Sequence, residues 1–528
     1  MIADRYVLDG LPPPSAQPDF LFDRPELQYP AQLNAAAELL GHTPADRVLF
    51  HTPARRWTYG EIDALSSRIA RVLVEAGLVT GGRVLLRGRT TAMLAACWFG
   101  VLKAGGVVVA TMPLLRNREL SVIADKARAD LALCEEDLRS ELDGVCKTIL
   151  TFTAEGDGNA ELDRRARDVP GGFATVATAA DDPALLAFTS GTTGAPKATV
   201  HLHRDILAIA DCFPRSILNV QPDDLFLSSA PLAFTFGLGA HVIFPARYGA
   251  ASILLPSAAP ELLGDAIATM NPTILMTAPT AYRALLKHAR RADWTSLRAC
   301  VSAGEHLPVA TFDAWLEATG HSLIDGIGAT EMLHIFISAA PGKIRRGATG
   351  LAVPGYVATI LDDDGNELPP DTPGRLAVRG PTGCRYLDDA RQANYVANGW
   401  NITGDTYHRD ADGYFWYHGR SDDMIVASGY NIGGPEVEEA LLLHPAVREC
   451  AVVGSPDGER GMVVKAFVCL ADDRPRDEAL VRELQDFVKA TIAPFKYPRR
   501  IEFLDALPRN ESGKLQRFVL RDRERRAS

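Results

Sequence analysis

Residues 188–197, Phe-Thr-Ser-Gly-Thr-Thr-Gly-Ala-Pro-Lys, join hydroxyls to glycines and end in a cation. Glycine lets a backbone curl tightly and come close to a ligand. Here Gly191 and Gly194 supply the curl. Successive N–H groups in such a turn, with the hydroxyls of Thr189, Ser190, Thr192 and Thr193, make a concavity suited to phosphate oxygens. Lys197 adds a compact positive charge. This is not the Walker pattern, because Ala195 and Pro196 separate Gly194 from the lysine. Taken alone, the stretch is also compatible with an ordinary surface turn.

Four later stretches could complete a nucleotide site. Gly326-Ile-Gly-Ala-Thr-Glu331 offers a close-approach turn, then a hydroxyl and a carboxylate. A carboxylate beside a phosphate turn suits Mg²⁺, which binds through one or two carboxylates plus phosphate oxygens. Trp400-Asn-Ile-Thr-Gly-Asp405 ends in an aspartate able to accept two hydrogen bonds from a ribose diol. Gly419-Arg-Ser-Asp-Asp423 follows, and Pro508-Arg-Asn-Glu-Ser-Gly-Lys514 is a polar loop carrying a lysine. Each is unremarkable singly; their joint occurrence in this order is informative.

The elements around them alternate. Thr58-Tyr-Gly-Glu61 is a capping box, with Ile62, Leu65, Ile69, Val72 and Leu73 at helical spacing behind it and Gly77 at the end. A strand at 82–86, a helix at 93–104 and a strand at 106–110 predict an α/β sheet covered on both faces. The pattern recurs through 184–200, 225–229, 238–255, 261–276 and 297–301. Residues 1–30, rich in proline, predict extended surface chain. His201 and His203 alternate as on a strand and favour packing over metal; Asp205 reads as the cap of the next helix. From Gly350 the texture turns to short β segments, with Asp362-Asp-Asp-Gly365 as a hairpin turn. After Asp422 a small α+β unit is predicted: helices at 436–443 and 478–491, strands at 450–454, 462–470 and 500–504, then a basic tail. The fold class is therefore α/β. A large N-terminal domain (1–421) of stacked α/β subdomains and a β-rich subdomain precedes a small mobile α+β domain (422–528).

Composition bounds the function. A chain of 528 residues, 47% apolar and 23% charged, holds several cores. Its net charge of -11 argues against a general nucleic-acid or membrane binder. Eight cysteines with no C-x-x-C suggest reduced thiols in a cytoplasmic protein. The N-terminus has no signal-peptide core, and Lys103 with Gly105-Gly106 breaks the most apolar window.

The five motifs together resemble the adenylate-forming superfamily of acyl-CoA synthetases, adenylation domains of peptide synthetases and firefly luciferase, over nearly the whole chain. Residues 326–336 (Gly-Ile-Gly-Ala-Thr-Glu-Met-Leu-His-Ile-Phe) and 513–518 (Gly-Lys-Leu-Gln-Arg-Phe) resemble the benzoate-CoA ligase branch. Residues 231–239 (Pro-Leu-Ala-Phe-Thr-Phe-Gly-Leu-Gly) and the opening around Leu11 to Asp23 are similar to ligases acting on 2-aminobenzoate. The resemblance implies an ATP-dependent ligase that converts an aromatic carboxylate to acyl-AMP and then to the CoA thioester. ATP, Mg²⁺ and CoA would be its cofactors, and a homodimer is allowed. It implies catalytic roles for Lys514, Glu331 (also the Mg²⁺ ligand) and Lys197. ATP contacts would come from Thr189, Ser190, Gly191, Thr192, Thr193, Gly194, Lys197, Gly304, Glu305, Asp325, Gly326, Ile327, Thr330, Asp405 and Arg420. Ile327 departs from the family's usual aromatic beside the adenine. Phe234, Thr235, Phe236, Gly237, Ala303 and His334 would line the acyl pocket, Gly304 bordering it; Phe234 stands where many acyl-CoA synthetases have histidine. Asp422 would be a hinge, and Gly429 and Tyr430 would meet CoA. An alternative acceptor is a carrier protein; the chain stops at Ser528 without such a domain, which favours CoA. A non-catalytic ligand-binding relative is disfavoured because competent residues fill the positions expected to handle ATP.

Overall fold

The computed structural model describes residues 2–527 apart from 190–195, 287–293, 428–429, 458–460, 493 and 511–512. Its alternating elements form two mainly parallel sheets. The six-stranded sheet runs Thr148–Phe152, Leu131–Glu135, Arg83–Arg87, Val107–Thr111, Pro183–Thr189, Lys197–Leu202, parallel except for the last strand. Val84, Leu85, Val107, Val108 and Val109 are fully buried, as a sheet covered on both faces requires. The covering helices follow the sequence signals. Thr58 Oγ1 accepts from the Glu61 N–H, and the Glu61 carboxylate accepts from the Thr58 N–H, at the head of Tyr59–Glu75. A cap of this kind stabilises by about 1 kcal/mol. That helix buries Ile62, Leu65, Ile69, Val72 and Leu73 and packs on Ala92–Lys103, which is buried throughout. Among the described residues no helix is long and apolar enough to cross a membrane.

The second sheet has nine strands. Six parallel ones lie in the order Leu323–Gly328, Ala299–Ala303, Ile274–Thr277, Leu225–Ser228, Ala251–Ile253, Val48–His51, with antiparallel strands at both edges. From Leu225–Ser228 the chain first adds a strand on one side and next a strand on the other. A parallel sheet opens a crevice at the carboxyl ends of its strands where the order reverses. The loops after Ser228, Thr277, Ala303 and Gly328 all leave from that edge. An antiparallel sheet of Val357–Leu361, Gly374–Arg379, Trp400–Arg409, Val396–Ala397 and Phe415–Arg420 follows. Residues 362–365 form the expected turn between its first two strands.

The small C-terminal domain pairs Val447–Asp457, Gly461–Leu470 and Arg500–Phe503, flanked by helices Gly434–Leu442 and Glu478–Thr491. Val437, Leu441, Val452 and Leu484 belong to its own core. The basic tail is not loose chain. Arg517–Ala527 is a helix that buries Leu520 and pairs Arg517 with Glu438 at 2.7 Å.

The alternation expected through 238–255 is present: residues 235–248 are helical, including a π-helical turn at Gly239–Ile243, and Ala251–Ile253 is strand. Other sequence expectations change. His203 opens the helix His203–Phe213, so it does not share a strand with His201. Asp205 lies in the first turn, not at the cap; its carboxylate accepts from the Leu202 N–H and pairs with buried Arg385 at 2.7 Å. The first 30 residues carry short helical turns, Tyr6–Asp9, Pro14–Ala16 and Pro25–Leu27, instead of continuous extended chain.

Candidate active site

Thr189 and Lys197 pair opposite each other on the antiparallel strands Pro183–Thr189 and Lys197–Leu202. Ser190, Gly191, Thr192, Thr193 and Gly194 lie outside the described residues. Lys197 Nζ donates to Tyr386 Oη at 3.2 Å and lies 4.8 Å from that ring's centre. Tyr386 Oη in turn donates to Glu331 Oε1 at 2.5 Å. Burial, and then the Glu331 charge, hold the Tyr386 phenol far above its usual pKa. Glu331 is 9% exposed, yet among the described residues it forms no ion pair with a cationic side chain. A buried carboxylate with one oxygen engaged by a phenol and no cation beside it fits a divalent ion. Among the described residues no cluster of three potential metal ligands exists.

Next to this group, at the carboxyl edge of the nine-stranded sheet, lies a cavity of about 330 Å³. Gly304, Glu305, Asp325, Gly326, Ile327, Asp405, Arg420 and Lys514 line it. Asp405 and Arg420 face each other across antiparallel strands, with Arg420 Nη1 3.1 Å from Asp405 Oδ1. Between them Gly404 has φ +77, and a Cβ there would stand 3.0 Å from Arg420 Nη2. Only glycine takes that conformation cheaply. Burial raises the Asp325 carboxyl to about 7, against the lowering pull of His306, the Gly326 N–H and the Thr349 hydroxyl.

Lys514 reaches this cavity from the C-terminal domain. Its N–H donates to Asn510 Oδ1 at 2.8 Å, and its carbonyl accepts from the Asn510 N–H at 2.9 Å. The side chain passes over Gly304, where an added Cβ would lie 3.7 Å from Lys514 Cε. Desolvation lowers the ammonium's pKa; Glu305 and Asp405 pull it up and Arg420 pushes it down. Two contacts fasten the C-terminal domain here. His306 Nε2 lies 2.8 Å from Glu439 Oε1, its ring stacked 5.0 Å from Tyr417, and Arg509 pairs with Glu449 at 2.7 Å and Glu305 at 3.7 Å.

The aromatic residues gather elsewhere. His334 is 3% exposed and packs against Phe244, Phe236 and Phe213 at 4.5, 5.5 and 5.7 Å between ring centres. Neither ring nitrogen has a hydrogen-bond partner of good geometry. Burial pushes its pKa down to about 3, so the imidazole is neutral. Gly239 permits the approach, since a Cβ there would fall 2.5 Å from His334 Cδ2. Gly237 is pressed against the Pro231 carbonyl in the same way. Phe234 and Thr235 stand half-buried at the head of Thr235–Leu238, and Ala303 ends a central strand opposite Gly326. The polar and aromatic groups meet at Leu333, which is fully buried and has φ +67. A branched side chain takes this backbone only where its surroundings enforce it.

The remaining expected residues are spread out. Thr330 offers its carbonyl to His201 Nε2 at 2.8 Å. Asp422 lies in the turn Ser421–Asp423 directly after Arg420, Tyr430 starts the strand Tyr430–Ile432, and Gly429 falls outside the described residues. Tyr386, His306, Thr349, Tyr407 and Tyr417 have no motif in the sequence, and Arg509, inside the 508–514 loop, has no role assigned by it. Three-dimensional proximity alone brings them to the site.

A family model described as "AMP-binding enzyme" matches residues 37–385, and one for the AMP-binding enzyme C-terminal domain matches 436–514. The chain belongs to the AMP-binding enzyme family. Benzoate–CoA ligase of Thauera aromatica is 34% identical over 94% of this chain and 97% of its own. The 4-hydroxybenzoate–CoA/benzoate–CoA ligase of Rhodopseudomonas palustris is 33% identical over 93% and 94%. The crystal structure of the anthranilate CoA ligase AuaEII in complex with anthranoyl-AMP superposes with a TM-score of 0.90, at 34% identity and 96% and 99% coverage. A benzoate CoA ligase from Burkholderia xenovorans gives 0.85 at 31% identity, covering 93% of this chain and all of that one.

Proposed function

We propose that the chain is an ATP-dependent aryl-CoA ligase whose acid carries a polar group ortho to the carboxylate, as 2-aminobenzoate does. The observation that carries this is the meeting of Lys514, Asp405 with Arg420, and Gly304 in one cavity, next to a buried aromatic wall that encloses the neutral imidazole of His334, with Thr235 half-buried at the head of its helix. A carboxylate is a poor electrophile because it is anionic and lacks a leaving group. Attack of its oxygen on the α-phosphorus of ATP forms acyl-AMP and expels pyrophosphate. The enzyme must chiefly hold two anions together and stabilise the charge that develops. Lys514 bridges the acid and the α-phosphate. Asp405 accepts from the ribose hydroxyls with Arg420 beside it, and Lys197 with residues 190–194 grips the departing phosphates. Glu331 would hold Mg²⁺, which when bound neutralises phosphate charge. Gly326 and Ile327 border the adenine, and Thr330 and Glu331 its phosphates.

In the second step a CoA thiol attacks the acyl carbon, AMP leaves and the thiol proton goes to solvent. Lys514 and its loop obstruct that path. The proposed remedy is rotation of residues 422–528 about Asp422, which breaks the His306–Glu439 and Arg509–Glu305 contacts and brings Gly429 and Tyr430 to the thiol. The eight cysteines are free thiols, seven of them buried, which suits a reducing, cytoplasmic setting. A neutral imidazole offers one donor and one acceptor, so His334 can serve an ortho amino or hydroxyl group. The test is kcat/KM with ATP and CoA across 2-aminobenzoate, 2-hydroxybenzoate, 3- and 4-hydroxybenzoate, benzoate and phenylacetate. The ortho-substituted acids are expected to lead; turnover of none of these acids would refute the reading.

A further inference from the structure

Tyr386 stands between the two charged groups meant for the phosphates, and no sequence motif marked it. Its hydroxyl carries one hydrogen. A carboxylate only accepts and an ammonium only donates, so the directions are fixed: Lys197 to the phenol at 3.2 Å, the phenol to Glu331 at 2.5 Å. Hydrogen bonds to an ionised acceptor are short and strong. The phenol is itself held. Its own N–H donates to Gln392 Oε1 at 2.9 Å, and its ring meets Tyr395 edge-on at 5.9 Å. The flanking backbone lies along the strand that Lys197 begins: the Val200 N–H donates to the Arg385 carbonyl at 2.8 Å and the Leu387 N–H to the Ala198 carbonyl at 2.9 Å. His201, on that same strand, holds the Thr330 carbonyl next to Glu331. Lysine and carboxylate are thus built into one frame, yet they form no direct ion pair with each other.

We propose that Tyr386 is a positioning residue that fixes one oxygen of Glu331, leaves the other for a divalent cation, and keeps Lys197 from pairing with that carboxylate. A direct Lys197–Glu331 pair would neutralise both groups before Mg²⁺ and ATP arrive, and the ligand would have to break it. The phenol separates them without displacing either. This rests on the Mg²⁺–ATP part of the proposed function and is independent of which acid is used.

The test is ATP binding to the full chain by calorimetry, with and without Mg²⁺, for the parent, Tyr386→Phe, Tyr386→His and Tyr395→Phe. Tyr395→Phe removes the neighbouring buried phenol, whose oxygen has no partner. In Tyr386→Phe, affinity with Mg²⁺ is expected to fall about tenfold, as loss of a charge-assisted hydrogen bond implies. Affinity without Mg²⁺ should change less than about threefold, and Tm should stay close to that of Tyr395→Phe. Tyr386→His, which keeps a ring N–H, should recover part of the Mg²⁺ dependence. Unchanged Mg²⁺–ATP affinity, equal loss with and without Mg²⁺, an equal loss in Tyr395→Phe, or unfolding of Tyr386→Phe would each overturn the assignment in favour of a packing role. A parent that binds Mg²⁺–ATP but activates no aromatic acid would sink the proposed substrate and leave this assignment standing.

Discussion

The nucleotide cavity and the aromatic wall are neighbours in the chain and opposites in physics. The cavity is open and charged, and it is assembled from the nine-stranded sheet, the five-stranded antiparallel sheet and the C-terminal domain, whose loop carries Lys514. The wall is closed and neutral, and it comes from two helical segments, ending at Phe213 and running over 235–248, and one turn. An open charged site can bind, react and release, because water re-solvates its ions when the ligand goes. A closed apolar site discriminates by shape and by the few polar atoms it leaves unpaired. Under the proposed function, the chemistry shared by the family falls to the first region and the choice of acid to the second.

The two regions separate most sharply at Lys514. Lys514→Ala is expected to lower ATP-dependent pyrophosphate release about a thousandfold, while CoA transfer from supplied acyl-AMP is largely retained. Equal losses in both half-reactions would mean that the lysine serves the fold and not adenylation. Asp405→Ala should weaken ATP by about 10- to 100-fold, the scale of lost hydrogen bonds at a charged group. Its effect on KM for the acid should be small, which separate titrations of ATP and acid would check.

His334→Phe addresses the other region. Preference for 2-aminobenzoate over benzoate should fall about tenfold, within the ~1–3 kcal/mol that such a contact discriminates, while KM for ATP stays put. A parallel drop for all acids would make His334 a packing residue only.

The smallest effect concerns pH. Burial lowers His203 and His334 to about 3 and His241 to about 4, against about 6.5 in an unfolded chain. For a base depressed by folding, the unfolded state binds the extra proton. Its stability contribution is therefore complete above about pH 6.5 and is lost as pH falls below that value. Each group contributes at most ~1.4 kcal/mol per pH unit. Asp325, raised to about 7, acts with the opposite sign. The decisive quantity is thus the Tm of the parent minus that of His334→Phe, which should decrease from pH 7 to pH 5 whichever protein is the more stable at pH 7. A constant difference would contradict a buried neutral imidazole.

Much of this arrangement is legible in the sequence because its causes are local. The capping box at Thr58, the apolar strands at 83–87 and 107–111, and the helix at 478–491 follow from neighbours within a few residues. The nucleotide motifs are legible for the same reason, since a turn close to a phosphate needs glycines in series. The misread elements depend on distant partners. Asp205 is pulled into a buried pair by Arg385, 180 residues away. The tail 517–527 becomes a helix because Glu438 and a buried site for Leu520 wait for it.

The sequence by itself determined the order of the motifs, the two-part α/β organisation and the family, all carried by short stretches whose chemistry is complete within themselves. The tertiary structure decided what stands between those stretches. It alone set Tyr386 between Lys197 and Glu331, turned the chain at Leu333 so that Glu331 and His334 serve different neighbours, and closed three phenylalanine rings around His334. Such placements depend on contacts between residues far apart in the chain, and local spacing carries no record of them.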